Sequence, residues 1–217
     1  MNSKTPKKSD KNLVGRPKDA GKRDNIVRAA NNLFMKNGYS LTSMEAVAKN
    51  ADVSKLTIYS HFANKDELFK EVIRLRCDKL AAPESFMALA DQPVEKSLLK
   101  LGIDFTSLVF RQDSIRLHCI MQAEAVRHPK VVQIFYETGP KRVRSEFAKL
   151  LQEWNNQKKL IIPDASKASN QFFSLLKGEM LMQVILLRMP MPSETELKEH
   201  VRTTVDFFLS AYSPSYK

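Results

Sequence analysis

The sequence is poor in the residues that mark disulfide-rich, nucleotide-binding and membrane proteins. Its 217 residues include two cysteines, Cys77 and Cys119, which form no disulfide framework or metal-ligand spacing and are expected to be reduced thiols packed among apolar residues. Six glycines are few for an all-β chain or a nucleotide-binding loop. The most apolar stretch, MLMQVILLRMPMP, is too short to span a bilayer, and the first 23 residues contain no apolar segment typical of a signal peptide. We therefore expect a cytoplasmic protein with no membrane partner.

No catalytic or metal-binding constellation accompanies the reactive side chains. The four histidines are scattered along the chain, and the sequence contains no paired carboxylates, glycine-rich phosphate loop or His/Cys/Asp metal cluster. The stretch SKLTIYSHF does hold a serine, a tyrosine and a histidine. On one short helix, however, residues two apart point to different sides and cannot easily converge on a substrate. We expect neither an enzyme nor a bound cofactor or metal.

Positive charge is concentrated at the start of the chain. The formal net charge is +11, and residues 1–80 hold 17 Lys and Arg against 9 Asp and Glu, which leaves a nearly balanced remainder. This asymmetry indicates a polyanionic partner for the first third, with simple solubility as the alternative. Residues 1–22 form a basic arm that is expected to be disordered. Within it, the sequence Gly-Arg-Pro makes Arg16 a candidate minor-groove contact, or else part of a solvated basic tail.

Apolar residues recur with the period of an α-helix from Asp24 onward, and no strand alternation competes with this pattern. We predict an all-α fold of about nine helices. Two short helices joined by the turn ADV have the dimensions of a helix-turn-helix at about residues 43–62. Thr42 and Glu45 are spaced as a capping box for the first of these helices, and Ser54 can cap the second.

The second short helix is predicted to face DNA. Ile58 and Phe62 have the spacing of core residues, and the polar positions between them are exposed. These exposed positions are Ser54, Lys55, Leu56, Thr57, Tyr59 and His61. Hydroxyls and lysine are common phosphate partners, and side chains that face the groove floor read base edges. The pattern therefore favours a DNA-reading helix over a catalytic cluster.

Two long segments carry a family resemblance. The segment RDNIVRAANNLFMKNGYSLTSMEAVAKNADVSKLTIYSHFANKDELFKEVI closely resembles the DNA-binding domain of the TetR family of bacterial repressors. The later segment IRLHCIMQAEAVRHPKVVQIFYETGPKRV resembles the AefR-like ligand domain of that family. The resemblance implies an all-α homodimer with a helix-turn-helix DNA-binding domain at residues 23–80 and a ligand-binding and dimerisation domain at 81–217. It also implies a repressor that binds a palindromic double-stranded operator and is released by a small, largely apolar effector.

The resemblance assigns roles to single residues of the DNA-binding domain. The positions it implies for backbone contacts are Thr42, Ser43, Tyr59, His61 and Lys65. Lys55 and Thr57 are implied to reach base edges. Leu56 stands where many relatives carry glycine, alanine or proline, so a thymine-methyl contact is expected there. For Tyr59, packing against Lys55 and the first helix is the alternative.

The family's second domain implies an effector pocket and a dimer interface. The candidate pocket residues are methionines, aromatic residues and a cysteine on the middle helices: Phe86, Met87, Phe105, Phe110, Cys119, Met121, Trp154 and Met180. Plain core packing is the alternative for each. Arg116, His118 and Arg127 are candidates for meeting an anionic ligand group, or else for the surface. The candidate interface residues lie along the apolar sides of the last two helices: Phe173, Leu176, Val184, Val201, Val205 and Phe208.

Two other functions stay open beside the ligand-responsive repressor. One is a constitutive DNA-binding protein whose pocket is vestigial. The other is an enzyme or a small-molecule-binding module that binds no DNA. A compound that releases the protein from DNA would argue against the first, and DNA binding at low salt would argue against the second.

Overall fold

The fold is all-α, as predicted. The computed structural model describes residues 18–81 and 86–214, and these contain helices and connecting loops without a strand. The helices are α1 (Lys18–Asn37), α2 (Met44–Asn50), α3 (Lys55–His61), α4 (Lys65–Ala81), α5 (Val94–Val109), α6 (Gln112–Arg127), α7 (Pro129–Tyr136), α8 (Arg142–Asn156), α9 (Ala165–Leu186) and α10 (Glu194–Tyr212). The predicted minor-groove residue Arg16, with the rest of residues 1–17, lies outside the described residues.

A π-helical turn, Glu137–Lys141, joins α7 to α8 without a break. Pro140 lies inside this turn, where the wider ring of backbone hydrogen bonds accommodates a residue that has no N–H. Proline usually occupies the first turn of a helix, whereas here the helix continues through Pro140. Counting 129–156 as one segment gives nine helical segments in the described part of the chain, in agreement with the predicted number.

The first four helices share a compact apolar core. Ile26, Phe34, Ile58 and Phe69 from α1, α3 and α4 are almost completely buried in it. The same cluster also contains side chains from α6 and α7: Leu117, Met121 and Val131. The core of the first four helices is therefore continuous with helices of the second half of the chain.

A second, larger core is rich in aromatic rings. Phe147, Phe172, Phe173 and Phe208 form a chain of ring contacts with centroid separations of 5.1–5.7 Å. Trp154 is fully buried beside them, and its Nε1–H donates to the Ala90 carbonyl at 3.1 Å. Tilted and edge-on ring pairs of this kind stabilise a core beyond the burial of their area.

This core contains most of the residues predicted for the dimer interface, and the prediction is corrected here. All six are buried within the single chain: Phe173, Leu176, Val184, Val201, Val205 and Phe208. A side chain that is covered by its own chain has no surface left for a partner. The helical period identified the most apolar side of α9 and α10, and each helix uses that side first for its own core.

Helices α5 and α10 cross closely at Gly102. A Cβ atom added to Gly102 would lie 2.6 Å from Val201 Cγ1 and 3.3 Å from Leu176 Cδ2, both on buried side chains. Real Cβ atoms do not approach other carbons this closely, so the glycine is needed for the two helices to touch. Gly21 in α1 offers a contrast, since an added Cβ there would meet nothing within 4 Å.

We expect Gly102→Ala to destabilise the protein by roughly 1–3 kcal/mol, because overpacking outweighs the better helix propensity of alanine. Gly21→Ala is the matched control and should be neutral or stabilising by about 0.5–1 kcal/mol. Urea unfolding followed by circular dichroism measures both. Equal stabilities of the two variants would contradict the close crossing of α5 and α10.

Candidate functional site

The helix-turn-helix is fixed by side-chain caps and one strained turn residue. Ser43 accepts a hydrogen bond from the Ala46 N–H at 3.1 Å at the start of α2, and Ser54 accepts one from the Thr57 N–H at 3.1 Å at the start of α3. Asp52 in the turn has φ of 53°, a left-handed conformation that glycine usually supplies and aspartate tolerates. The caps and the turn together set the direction of α3.

One side of α3 is exposed to solvent, and the other side is buried. Ile58 and the following Phe62 are buried under α1 and α2. On the other side, Leu56 is 84% exposed and Tyr59 is 43% exposed. An apolar side chain as open as Leu56 gains nothing from the fold itself. Its position suits contact with something outside the chain.

Lys55 is engaged by a carboxylate of the preceding helix. Its Nζ lies 2.6 Å from Glu45 Oε1 and 6.0 Å from the centroid of the Tyr59 ring. Both charged groups are exposed, and their hydrogen bond lowers the pKa of Glu45 and raises that of Lys55. An exposed ion pair of this kind is weak and screened by salt. Lys55 can therefore exchange Glu45 for a DNA group at small cost.

Two residues predicted to contact phosphate are directed inward instead. The Thr42 side chain is 1% exposed, and its hydroxyl donates to the Gly38 carbonyl at 2.8 Å. Lys65 Nζ donates to the Tyr39 and Thr42 carbonyls at 2.9 Å each and lies 4.2 Å from the Tyr39 ring centroid. Burial lowers the pKa of Lys65. Both side chains brace the α1–α2 loop, which corrects their assignment as direct DNA contacts.

An apolar cavity of about 120 Å³ lies between α4 and the helices that follow it. Helices α4 to α9 all contribute to its wall. Its apolar lining residues are Ile73, Cys77, Phe105, Leu108, Val109, Leu117, Phe135, Val143 and Phe173, with Pro140 from the π-helical turn. Burial raises the pKa of Cys77 to about 11, so this thiol stays neutral near pH 7.

Polar side chains also reach this cavity: Arg76, Ser114, His118, Arg144 and Lys177. Arg76 is held by Asp113 at 2.9 Å and by Ser114 Oγ at 3.1 Å. His118 Nδ1 lies 3.0 Å from the Ser114 carbonyl, so the tautomer with hydrogen on Nδ1 donates there. Burial lowers the pKa of His118, and the nearby Lys177 charge lowers it further.

Helix α4 connects the cavity to the first three helices. Its Glu71 pairs with Arg23 of α1 at 2.8 Å and with Arg74 at 2.7 Å. Arg74 and the first residue of α8, Arg142, both bind Asp78, at 2.6 and 2.8 Å. These pairs form a charged ladder from α1 to α8.

A separate contact joins the α1–α2 loop directly to the second half. Ser40 Oγ donates to the Glu124 carboxylate of α6 at 2.7 Å, and Lys130 of α7 pairs with Asp66 at 2.7 Å. Tyr39 also donates a hydrogen bond to Asp66. The loop that supports α2 is thereby tied to helices that line or adjoin the cavity.

Family comparisons agree with this arrangement. Residues 26–72 match the model of bacterial regulatory proteins of the TetR family, and residues 96–214 match that of the AefR-like transcriptional repressor C-terminal domain. The chain belongs to the TetR family. It is a DNA-binding transcriptional regulator and not an enzyme.

Individual relatives of this TetR-family chain are distant. The repressor KstR2 of Mycolicibacterium smegmatis is 28% identical over 62% of this chain and 65% of its own length, and YhgD of Bacillus subtilis is 40% identical over 34% and 35%. The chain thus spans less than two thirds of these two relatives.

Solved structures cover more of the chain. A TetR-family regulator from Mesorhizobium loti superposes with a TM-score of 0.78 at 27% identity, over 91% of this chain and all of that one. The flavonoid-responsive regulator FrrA gives a TM-score of 0.69 at 30% identity, over 90% and 99%.

The residues predicted for the effector pocket of this TetR-family regulator mostly lie away from this cavity. Among the eight, only Phe105 lines the cavity. Phe86 and Trp154 belong to the aromatic core, Met121 to the core of the first four helices, and Phe110, Cys119 and Met180 to a small cluster near the end of α5. Met87 is 47% exposed. Of the three residues proposed for an anionic group, His118 reaches the cavity, whereas Arg116 and Arg127 are exposed.

Sequence reasoning missed the contribution of α4 to the cavity. Ile73 and Cys77 are four residues apart and share one side of that helix, together with the adjacent Arg76. Phe69, Ile73 and Cys77 are spaced four residues apart, and they extend the apolar side of α4 from the core of the first four helices to the cavity. This continued apolar side was the available signal. In the residues that the structure describes, no group of three or more metal-ligating side chains comes together and no helix is long and apolar enough to cross a membrane.

We expect Glu45→Gln to tighten binding to duplex DNA about threefold at 0.1 M salt, because the change frees Lys55 and removes a negative charge that repels phosphates. Fluorescence anisotropy with a labelled mixed-sequence duplex, repeated at several salt concentrations, measures the effect. Glu95→Gln on α5 changes the net charge equally at an exposed position and serves as control. Identical affinities of the two variants would refute competition between Glu45 and DNA for Lys55.

Proposed function

We propose that this chain is a ligand-responsive repressor that acts in the cytoplasm, binds a palindromic DNA operator as a homodimer, and is released by a small, largely apolar effector. The proposal divides the chain into a basic arm (1–22), a DNA-binding domain (23–80) and a ligand-binding and dimerisation domain (81–217). The observation that carries it is the apolar cavity whose wall includes α4. The same helix supplies Leu68, Phe69 and Val72 to the core beneath α3.

The DNA contacts we propose lie on α3 and at the start of α2. Lys55, Leu56 and Thr57 would face base edges, since they lie in the first turn of a helix that fits a major groove. The proposed backbone contacts are Ser43, Ser54, Tyr59 and His61, whose hydroxyls and imidazole suit phosphate oxygens. Thr42 and Lys65 would support these contacts from inside. Arg16 would add a minor-groove contact from the arm.

Dimerisation is proposed through the side of α9 and α10 that faces away from the core. Large apolar side chains are open there: Leu175, Met182, Leu186 and Phe207. Leu186 is 59% exposed and Phe207 is 61% exposed, which is costly for a monomer in water. A two-fold pairing of these helices would cover them in a four-helix bundle.

Release is proposed to follow from the spacing of the two DNA-binding domains. Two recognition helices fit successive major grooves only when they lie about 34–36 Å apart. An effector that fits the cavity best in another position of α4 would favour another spacing, and DNA affinity would fall without any ligand contact to DNA. FrrA is named flavonoid-responsive and KstR2 a repressor, and both names support this form of regulation.

Selection of binding sites from a random duplex library tests the function directly and should return a palindrome. We then expect Lys55→Ala and Thr57→Ala each to reduce the ratio of operator to nonspecific affinity about tenfold or more, because each removes a base contact. Lys36→Ala, an exposed lysine at the end of α1, is the control and should leave this ratio unchanged. Unchanged sequence preference in both α3 variants would exclude their assignment as base-reading residues.

We expect Phe207→Lys to raise the dimer dissociation constant by roughly thirtyfold or more, because it buries a charge where an apolar side chain was covered. Sedimentation velocity at several protein concentrations measures the shift from dimer to monomer. Val126→Lys is the control, since Val126 is 89% exposed on α6, away from this face. A dimer that tolerates Phe207→Lys as well as Val126→Lys would argue for a different interface.

A further inference from the structure

The charge of the cavity wall is unbalanced. Three cationic side chains line it, Arg76, Arg144 and Lys177, and no aspartate or glutamate of the described residues does. Arg76 is paired with Asp113 at 2.9 Å, a carboxylate that Arg111 also binds at 3.0 Å. Arg144 and Lys177 therefore leave an excess of positive charge at the cavity wall.

Neither of these two cations has a carboxylate partner in the described part of the chain. Arg144 Nε donates to the Pro140 carbonyl at 3.1 Å, and its guanidinium lies 5.3 Å from the Tyr136 ring centroid. Neither contact cancels a charge. Lys177 is half-buried and forms no hydrogen bond or ion pair with the described residues. Burial, and then the Arg144 charge, lower its pKa. A half-buried cation without a counterion is unfavourable unless an anion is supplied.

The backbone next to Lys177 is unusual as well. Gly178 has φ of 52° and ψ of −164°, a conformation restricted almost entirely to glycine, and it breaks the regular course of α9. His200 of α10 compensates, since its Nε2 lies 3.0 and 3.2 Å from the Leu175 and Leu176 carbonyls. The kink at Gly178, whose free carbonyls are bound by His200, thus comes directly after Lys177 in the sequence. Strained backbone of this kind is concentrated at ligand sites.

The apolar part of the cavity sets the size of a ligand. Its volume of about 120 Å³ is close to the roughly 150 Å³ of an engineered apolar cavity that binds benzene. Phe105 and Phe173 form one wall, with ring centroids 4.7 Å apart. The space suits one aromatic ring or a short alkyl chain. A phosphate dianion would lose more hydration on entering such walls than a carboxylate, so a single negative charge fits better.

We propose that this cavity binds a small aromatic or short-chain aliphatic monocarboxylate, with its carboxylate on Lys177 and Arg144 and its apolar body against Phe105 and Phe173. Calling this compound the effector rests on the proposed function, whereas its binding to the cavity does not. The two cations select the charge, and the two phenylalanines select the apolar body. A neutral amide of the same shape would leave Lys177 and Arg144 without an anionic partner and should bind less tightly.

Calorimetry with the full chain tests the ligand class. The probes are benzoate, 3-phenylpropionate and hexanoate, each paired with its neutral amide. We expect at least one carboxylate to bind at least tenfold more tightly than its amide, because only the anion pairs with Lys177 and Arg144. Binding of every amide as tightly as its carboxylate, or binding of none of the six probes, would overturn the proposal.

Variants test the assignment of the two cations. Lys177→Met and Arg144→Gln should each weaken carboxylate binding about tenfold or more and leave amide binding unchanged. Lys167→Met on the same helix is exposed and is the matched control. Without ligand, Lys177→Met should also raise the melting temperature by roughly 2 °C, since it removes an unpaired half-buried charge. A lower melting temperature together with unchanged carboxylate affinity would show that Lys177 is structural.

DNA binding separates this proposal from the proposed function. If the chain binds an operator and also binds a carboxylate through Lys177, the same compound should lower operator affinity in wild type more than in Lys177→Met. A chain that binds the carboxylate but no DNA refutes the repressor and keeps the cavity assignment. If the chain binds its operator but binds each amide as tightly as its carboxylate, the cavity assignment is refuted and the repressor proposal stands.

Discussion

One helix belongs to two hydrophobic environments, and the arrangement of the chain depends on it. The first half of α4 packs Leu68 and Phe69 into the core under the DNA-facing helices. One further turn along, Ile73 and Cys77 line the cavity of the second half. Because an α-helix resists bending, displacement of one end of α4 moves the other. Under the proposed function, occupancy of the cavity would act on the orientation of α3 through this helix.

Polar contacts on the surface of α4 limit how it can move. The ladder from Arg23 through Glu71, Arg74 and Asp78 to Arg142 runs along its length, and the Ser40–Glu124 bond ties the α1–α2 loop to α6. Such partly exposed pairs are individually weak, so they can exchange partners without unfolding the helix. The tight apolar contacts stabilise the fold, and the ion pairs can favour one position of α4 over a nearby one.

The fold and the position of α3 were predictable, because caps, helical period and the exposed pattern of Lys55 and Leu56 are local properties. The cavity was not, since composition cannot tell a methionine in a core from one beside a void. Trp154 and Phe105 look alike in the sequence, yet one fills the core and the other faces the cavity. The exposed apolar side of α9 and α10 was missed for a related reason. A helical period finds the most apolar side of a helix, whereas Phe207 lies on a different, exposed side.

The shared core of the first four helices has a further consequence for how such regulators diversify. Leu117, Met121 and Val131 from the second half complete the apolar cluster around Phe34 and Phe69. A reading unit cut at the end of α4 would carry an open apolar patch shaped for its own α6 and α7. The first four helices can therefore be joined to another second half only when its side chains match this patch.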